Sequence, residues 1–181
     1  MNLPKRINLP NKLTMGRIFI VPVFVVILMM EHYEIATVIF ILASFTDMLD
    51  GMIARKYNIV TNFGKIMDPL ADKILVVAAF VCLVELGHVA AWMVIVILAR
   101  EFAVTGLRSV AAAQGVVISA GTTGKIKTIL QMVAITALLL QNWPFSLIDF
   151  PFSQIMLWAS VIMTVVSGVE YIMKNKHVLL K

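Results

Sequence analysis

Cysteine occurs once in the 181 residues, at Cys82 within an apolar run. A lone thiol cannot close a disulfide within the chain or build a cysteine-rich zinc site. Charge is scarce too. Asp, Glu, Lys and Arg make up 14% of the chain, hydrophobic residues make up 61%, and the mean hydropathy is +0.96. That composition excludes an ordinary soluble domain. The chain has no low-complexity tract, no linker and no convincing internal repeat, so it reads as one domain, residues 1–181. The missing repeat counts against an inverted-repeat transporter. His32, His88 and His177 are scattered and form no site. No soluble basic domain is present, which removes nucleic acid as a partner.

What the chain does have is length in its apolar runs. Crossing about 30 Å of hydrocarbon takes about 20 residues, and six runs approach or exceed this: 13–31, 34–54, 65–87, 89–113, 124–142 and 152–173. The expected fold is an all-α integral membrane protein of six transmembrane helices. The first run is full-length and lacks a small-residue cleavage site, so no cleavable signal peptide is expected. Residues 1–12 begin MNLPKRINLP, with Leu3, Ile7 and Leu9 beside Lys5 and Arg6. They read as a short interfacial segment.

The basic residues set the orientation. All 15 Lys and Arg fall within 5–17, 55–73, 100–127 and 174–181, and the connections Glu31–Glu34, Glu85–His88 and Asn142–Pro151 carry none. The positive-inside rule makes the basic groups cytoplasmic and puts both termini inside. An even number of spans follows, in agreement with six. The net charge of +5 also suits anionic membrane lipids.

Against this background, four aspartates lie in FTDMLDGMIARKYNIVTNFGKIMDPLADK (Phe45–Lys73). Each ionised carboxylate costs roughly 2.5–3.5 kcal/mol on membrane-insertion scales, so such a group marks function. Asp47, Asp50, Gly51 and Ala54 fall at i, i+3, i+4 and i+7, one stripe of a helix; Gly64, Asp68 and Asp72 fall at i, i+4 and i+8. The short connection Lys56–Phe63 makes the two helices antiparallel neighbours, with both stripes near one membrane face. The small residues leave room for close approach. Hard carboxylate oxygens favour magnesium, manganese or calcium. The competing reading pairs the aspartates with Arg55, Lys65 and Lys73 as boundary salt bridges; four carboxylates at these spacings favour the metal site.

The pattern Asp47-x2-Asp50-Gly51-x2-Ala54-Arg55-x8-Gly64-x3-Asp68-x3-Asp72 resembles the signature of the CDP-alcohol phosphotransferase family at all eight fixed positions over 26 residues. The six-span topology extends the resemblance over nearly the whole chain. The resemblance implies two divalent cations, Mg2+ or Mn2+, held by Asp47, Asp50, Asp68 and Asp72, with Asp72 as general base. It implies that Gly51, Ala54, Arg55, Thr61 and Gly64 contact CDP-diacylglycerol. Asn11, Thr14 and Arg17 resemble the family's first-helix motif on the same nucleotide site; Asn11 and Thr14 also suit plain helix capping. A homodimer in a bacterial inner membrane, with its active site facing the cytoplasm, is implied as well. Two metals can clamp the attacking and leaving oxygens of an in-line displacement at a diphosphate. A carboxylate beside them can take the acceptor's proton.

A second cationic set, Arg100, Arg108, Lys125 and Lys127, lies at the cytoplasmic ends of the fourth and fifth runs. A neutral acceptor would not need so many cations; one carrying a phosphate would. AREFAVTGLR (Ala99–Arg108), GKIKTILQM (Gly124–Met132) and NIVTNFGKIMDPLADK (Asn58–Lys73) resemble the branch of the family whose acceptor is sn-glycerol 3-phosphate. The resemblance implies that Arg108, Lys125 and Lys127 bind its phosphate and that Arg100 pairs with Glu101 or with that phosphate. Positive-inside topology alone is the other account of these four. GTTGK (Gly121–Lys125) lacks the first glycine and the preceding strand of a P-loop. Three alternatives remain: a different acceptor (phosphatidylglycerol, inositol or serine), a divalent-cation transporter using the aspartates as a transit site, and a structural or assembly subunit, for which Asp72→Asn would leave function intact.

Overall fold

The computed structural model describes the backbone of residues 9–57, 62–116, 118 and 121–179, and the side chains of 16, 19–46, 73–116, 118 and 121–176. Among the described residues there are six α-helices and no strand: α1 Leu9–Met29, α2 Tyr33–Tyr57, α3 Asn62–Glu85, α4 Ala91–Ala113, α5 Thr122–Leu139 and α6 Phe152–Leu179. A 3-10 turn, Phe145–Ile148, lies between the last two. Each apolar run of the sequence coincides with one helix. Of these, α6 is long and apolar enough to cross a membrane among the described residues. Helix α1 begins inside the expected interfacial segment, at Leu9; residues 1–8 lie outside the described set.

Helices α1, α3, α4 and α5 stop where a left-handed residue turns the backbone so that the last carbonyls find donors. Glu31, with φ 60°, ends α1: its N–H bonds Leu28 O at 2.9 Å and that of His32 bonds Ile27 O at 3.2 Å. Gly87 does the same after α3, Gly115 after α4 and Gln141 after α5. The last explains why α5 stops at Leu139, short of the expected 142. Helix α6 instead runs past the expected 173, with a kink at Asn175, whose Nδ2 donates to Tyr171 O at 2.8 Å.

Contacts divide the chain into two compact units, residues 1–82 and 83–181. In the first, α1 packs on α2 through Phe24, Leu28, Ala36 and Phe40, all buried, with the two phenyl rings 6.1 Å apart. Alanine at 36 and 43 lets the helices approach. In the second, α6 packs on both α5 and α4. The α5–α6 seam is built from Ala134, Ile135 and Leu138 against Leu157, Ser160, Thr164 and Ser167. Val104, Leu107 and Ala111 of α4 close on Tyr171 of α6.

The outer faces are apolar. Phe19, Val26, Val38, Leu42, Ile95, Phe102, Ile129, Ile162 and Val169 are all exposed, an arrangement a water-facing surface does not tolerate and a lipid-facing one requires. Helix hydroxyls are turned back onto their own backbone. Thr37, Thr46, Thr128, Thr136 and Thr164 each donate to the carbonyl four residues earlier, at 2.6–3.1 Å. This satisfies them without water.

Candidate functional site

The acidic motif lies on two helices of the first unit. The backbone is helical through Asp47 and Asp50 in α2 and through Asp68 and Asp72 in α3. Spacings of three and four therefore give one face on each helix. The donor set, four carboxylates, is of the hard-oxygen kind that holds magnesium or manganese. The side chains of Asp47, Asp50, Asp68 and Asp72 lie outside the described residues, as do those of Asn11, Thr14, Arg17, Ala54 and Arg55; the same holds for Gly51, Thr61 and Gly64. Among the described residues, no group of three His, Cys, Asp or Glu could hold a metal.

The cationic site can be built atom by atom. Arg100 and Arg108 are eight apart on α4, so both fall near one face. Between them that helix presents Val104 and Leu107 to the core. Arg100 Nη1 donates to Glu101 Oε1 at 3.2 Å, and Lys127 Nζ of α5 donates to the same oxygen. Their side chains are only 12%, 11% and 5% exposed, so among the described residues two cations share one carboxylate in a buried charge cluster. Such clusters persist only when closely paired.

Glycines make the space for Arg100. A Cβ on Gly168 of α6 would stand 2.9 Å from Arg100 Cγ, and one on Gly124 of α5 would stand 3.6 Å from Nη2. The arginine threads between two helices at points where each lacks a side chain. Its Nε is buried with no partner among the described residues.

Arg100 and Arg108 form one wall of a cavity of about 220 Å³. Thr123 and Gly124 close it from α5; Glu170, Tyr171 and Lys174 close it from α6. Glu170 is bonded to Lys174. Arg108 Nε donates to Tyr171 Oη at 3.0 Å, and its guanidinium carbon stands 5.3 Å from the ring centroid. Beside the Glu170–Lys174 pair, two guanidiniums line this space, donors of the kind that can hold a small anion.

Of the four cations expected from sequence, the structure brings Arg100 and Arg108 to this cavity. Lys127 is buried against Glu101 and does not line it, and Lys125 is exposed away from its wall. Tyr171, Lys174, Glu170, Thr123 and Gly168 were not singled out from sequence. The signal was there for α6, where Ser167, Glu170, Tyr171 and Lys174 recur at helical spacing. It was masked because residues 174–181 read as a positive-inside tail.

Comparison with known proteins gives a consistent picture. The family model for CDP-alcohol phosphatidyltransferase matches residues 7–166. The CDP-diacylglycerol–glycerol-3-phosphate 3-phosphatidyltransferase of Bacillus subtilis (strain 168) is 51% identical over 183 residues, covering 93% of this chain and 95% of that protein. The enzyme of the same name from Rickettsia typhi is 39% identical, covering 91% and 94%. That of Wigglesworthia glossinidia brevipalpis is 35% identical, covering 92% and 93%.

Proposed function

The chain belongs to the CDP-alcohol phosphatidyltransferase family, and from that premise we infer that it is a membrane-bound transferase of phospholipid biosynthesis. It moves the phosphatidyl group of CDP-diacylglycerol to sn-glycerol 3-phosphate, giving phosphatidylglycerol phosphate and CMP. The observation that carries this reading is similarity along more than nine-tenths of the chain to relatives named for that reaction. The arginine-lined cavity supports an acceptor that carries a phosphate.

Asp47, Asp50, Asp68 and Asp72 would hold two divalent cations, Mg2+ or Mn2+, which when bound neutralise the diphosphate and polarise its bridging oxygen. Asn11, Thr14, Arg17, Gly51, Ala54, Arg55, Thr61 and Gly64 bind the nucleotide end of the liponucleotide. Arg100 and Arg108 hold the acceptor's phosphate, and Lys127 supports Arg100 through their shared carboxylate. Asp72 takes the proton of the acceptor hydroxyl as its oxygen bonds to the lipid-side phosphorus. The bond from that phosphorus to the CMP oxygen breaks, and CMP leaves.

The protein crosses the bacterial inner membrane six times, with both termini and the active site cytoplasmic, and works as a homodimer. The clustering of every Lys and Arg on alternate connections supports that orientation.

The test is CMP release by the purified protein in detergent, with CDP-diacylglycerol and magnesium, with and without sn-glycerol 3-phosphate. Release that needs this acceptor and is abolished by Asp72→Asn is expected. Release with inositol, serine or phosphatidylglycerol instead would replace the acceptor and keep the family. Metal flux in vesicles without any CMP release would put the transporter reading in its place.

A further inference from the structure

We propose that Tyr171 is a positioning residue for the acceptor's phosphate, acting through Arg108; this deepens, and rests on, the acceptor reading of the cavity between α4, α5 and α6. An arginine near the end of a helix has a long, flexible stem, and a phosphate receptor needs its planar fork fixed in one orientation. Tyr171 supplies two restraints on that fork. Its hydroxyl accepts the Nε–H at 3.0 Å, which fixes the fork at its root. Its ring lies 5.3 Å from the guanidinium carbon, within the about 6 Å over which a cation is drawn to an aromatic face. Using Nε on the tyrosine leaves the two terminal nitrogens to grip an anion end-on, the bidentate geometry that makes arginine selective for phosphate.

The tyrosine is itself immobile. It is 7% exposed and wedged against Val104, Leu107 and Ala111, so the same helix that carries Arg108 also clamps its orienting partner. The hydroxyl thus acts on the acceptor through Arg108. Its removal should weaken acceptor capture and leave the chemical step untouched.

Tyr171→Phe keeps the ring and its packing and deletes only the hydroxyl. With the full-length protein in detergent, it is expected to raise KM for sn-glycerol 3-phosphate about three- to tenfold, the effect of one hydrogen bond. KM for CDP-diacylglycerol, kcat at saturating acceptor and the melting temperature should stay at the parent values. In an Arg108→Ala background, Tyr171→Phe should add nothing, because the group it orients is gone. An unchanged acceptor KM in Tyr171→Phe, or an equal effect with and without Arg108, would overturn the proposal. So would a lowered melting temperature with both KM values unchanged, which assigns the hydroxyl to packing alone. If Arg108→Ala itself leaves the acceptor KM unchanged, the acceptor reading of the cavity fails, an outcome separate from failure of the positioning role.

Discussion

Replacing Gly168 by alanine tests the cavity through a single methyl group. The new Cβ would stand 2.9 Å from Arg100 Cγ and 3.9 Å from both its Cβ and Nε. Carbons rest at about 3.5–4.0 Å, so the nearest pair is too close by roughly half an ångström or more. Cγ is only the second carbon of the side chain and cannot swing clear as a chain end would. Relief requires rotation about the first side-chain bond, which withdraws the guanidinium from Glu101 and from the cavity. Overpacking of this kind costs about 1–3 kcal/mol, offset by about 1 kcal/mol from alanine's better helix propensity, so the melting temperature should fall only slightly. Activity should fall further. A charge-assisted hydrogen bond is worth about 1.5–3 kcal/mol, so kcat/KM for sn-glycerol 3-phosphate should drop roughly ten- to a hundredfold, with KM for CDP-diacylglycerol unchanged. Steady-state CMP release at varied acceptor concentration measures this. Gly124→Ala is the control, because its Cβ would make an ordinary 3.6 Å contact with Nη2 and should cost little. An unchanged acceptor KM in Gly168→Ala, alongside a raised one in Arg100→Ala, would refute the reasoning.

Asp72→Asn should reduce CMP release at least a hundredfold while the protein stays folded, and a chelator should abolish release until magnesium or manganese is restored; kinetics and circular dichroism read both. Glu101→Ala leaves Arg100 and Lys127 without their shared carboxylate and should cost about 3–5 kcal/mol of stability, seen as loss of folded protein on gel filtration; adding Lys127→Met should recover part of it. Gln141→Gly should stabilise by about 1 kcal/mol, because the left-handed φ of 51° at this helix end strains any side chain, and thermal melting in detergent should show the gain.

Much of the architecture was legible because hydropathy reports helix positions directly. The six apolar runs and the six helices coincide to within a few residues in most cases. The ends were harder to place. Gly87 and Gly115 announce a left-handed turn, whereas Glu31 and Gln141 adopt the same conformation without any compositional signal. The acidic motif stands out because carboxylates are conspicuous in an apolar chain, and the backbone is helical at 47–50 and 68–72. The second site was read less completely. Sequence shows that Arg100, Arg108, Lys125 and Lys127 are cationic, but not which of them is neutralised. That depends on Lys127 and Arg100 converging on one oxygen of Glu101 from different helices, a pairing 26 residues apart for the lysine. The stripe that carries Tyr171 has helical spacing in the sequence, but its pairing with Arg108 does not show there, since the two lie 63 residues apart.

The seam between α5 and α6 has a mechanical consequence. Ser160, Thr164 and Ser167 are buried there, yet each hydroxyl donates to a carbonyl of its own helix. Across the seam, among the described residues, Gln131 Nε2 donates to Thr164 Oγ1 at 3.3 Å, and a side-chain hydrogen bond joins Thr123 of α5 to Glu170 of α6. Two hydrogen bonds at different heights, set among close-packed side chains, hold α6 in one register along α5. Any shift of α6 along α5 would break both bonds and move Gly168, Glu170, Tyr171 and Lys174 together against Thr123 and Gly124. The seam acts as a pinned joint, and the width of the anion cavity is set by where those pins hold α6.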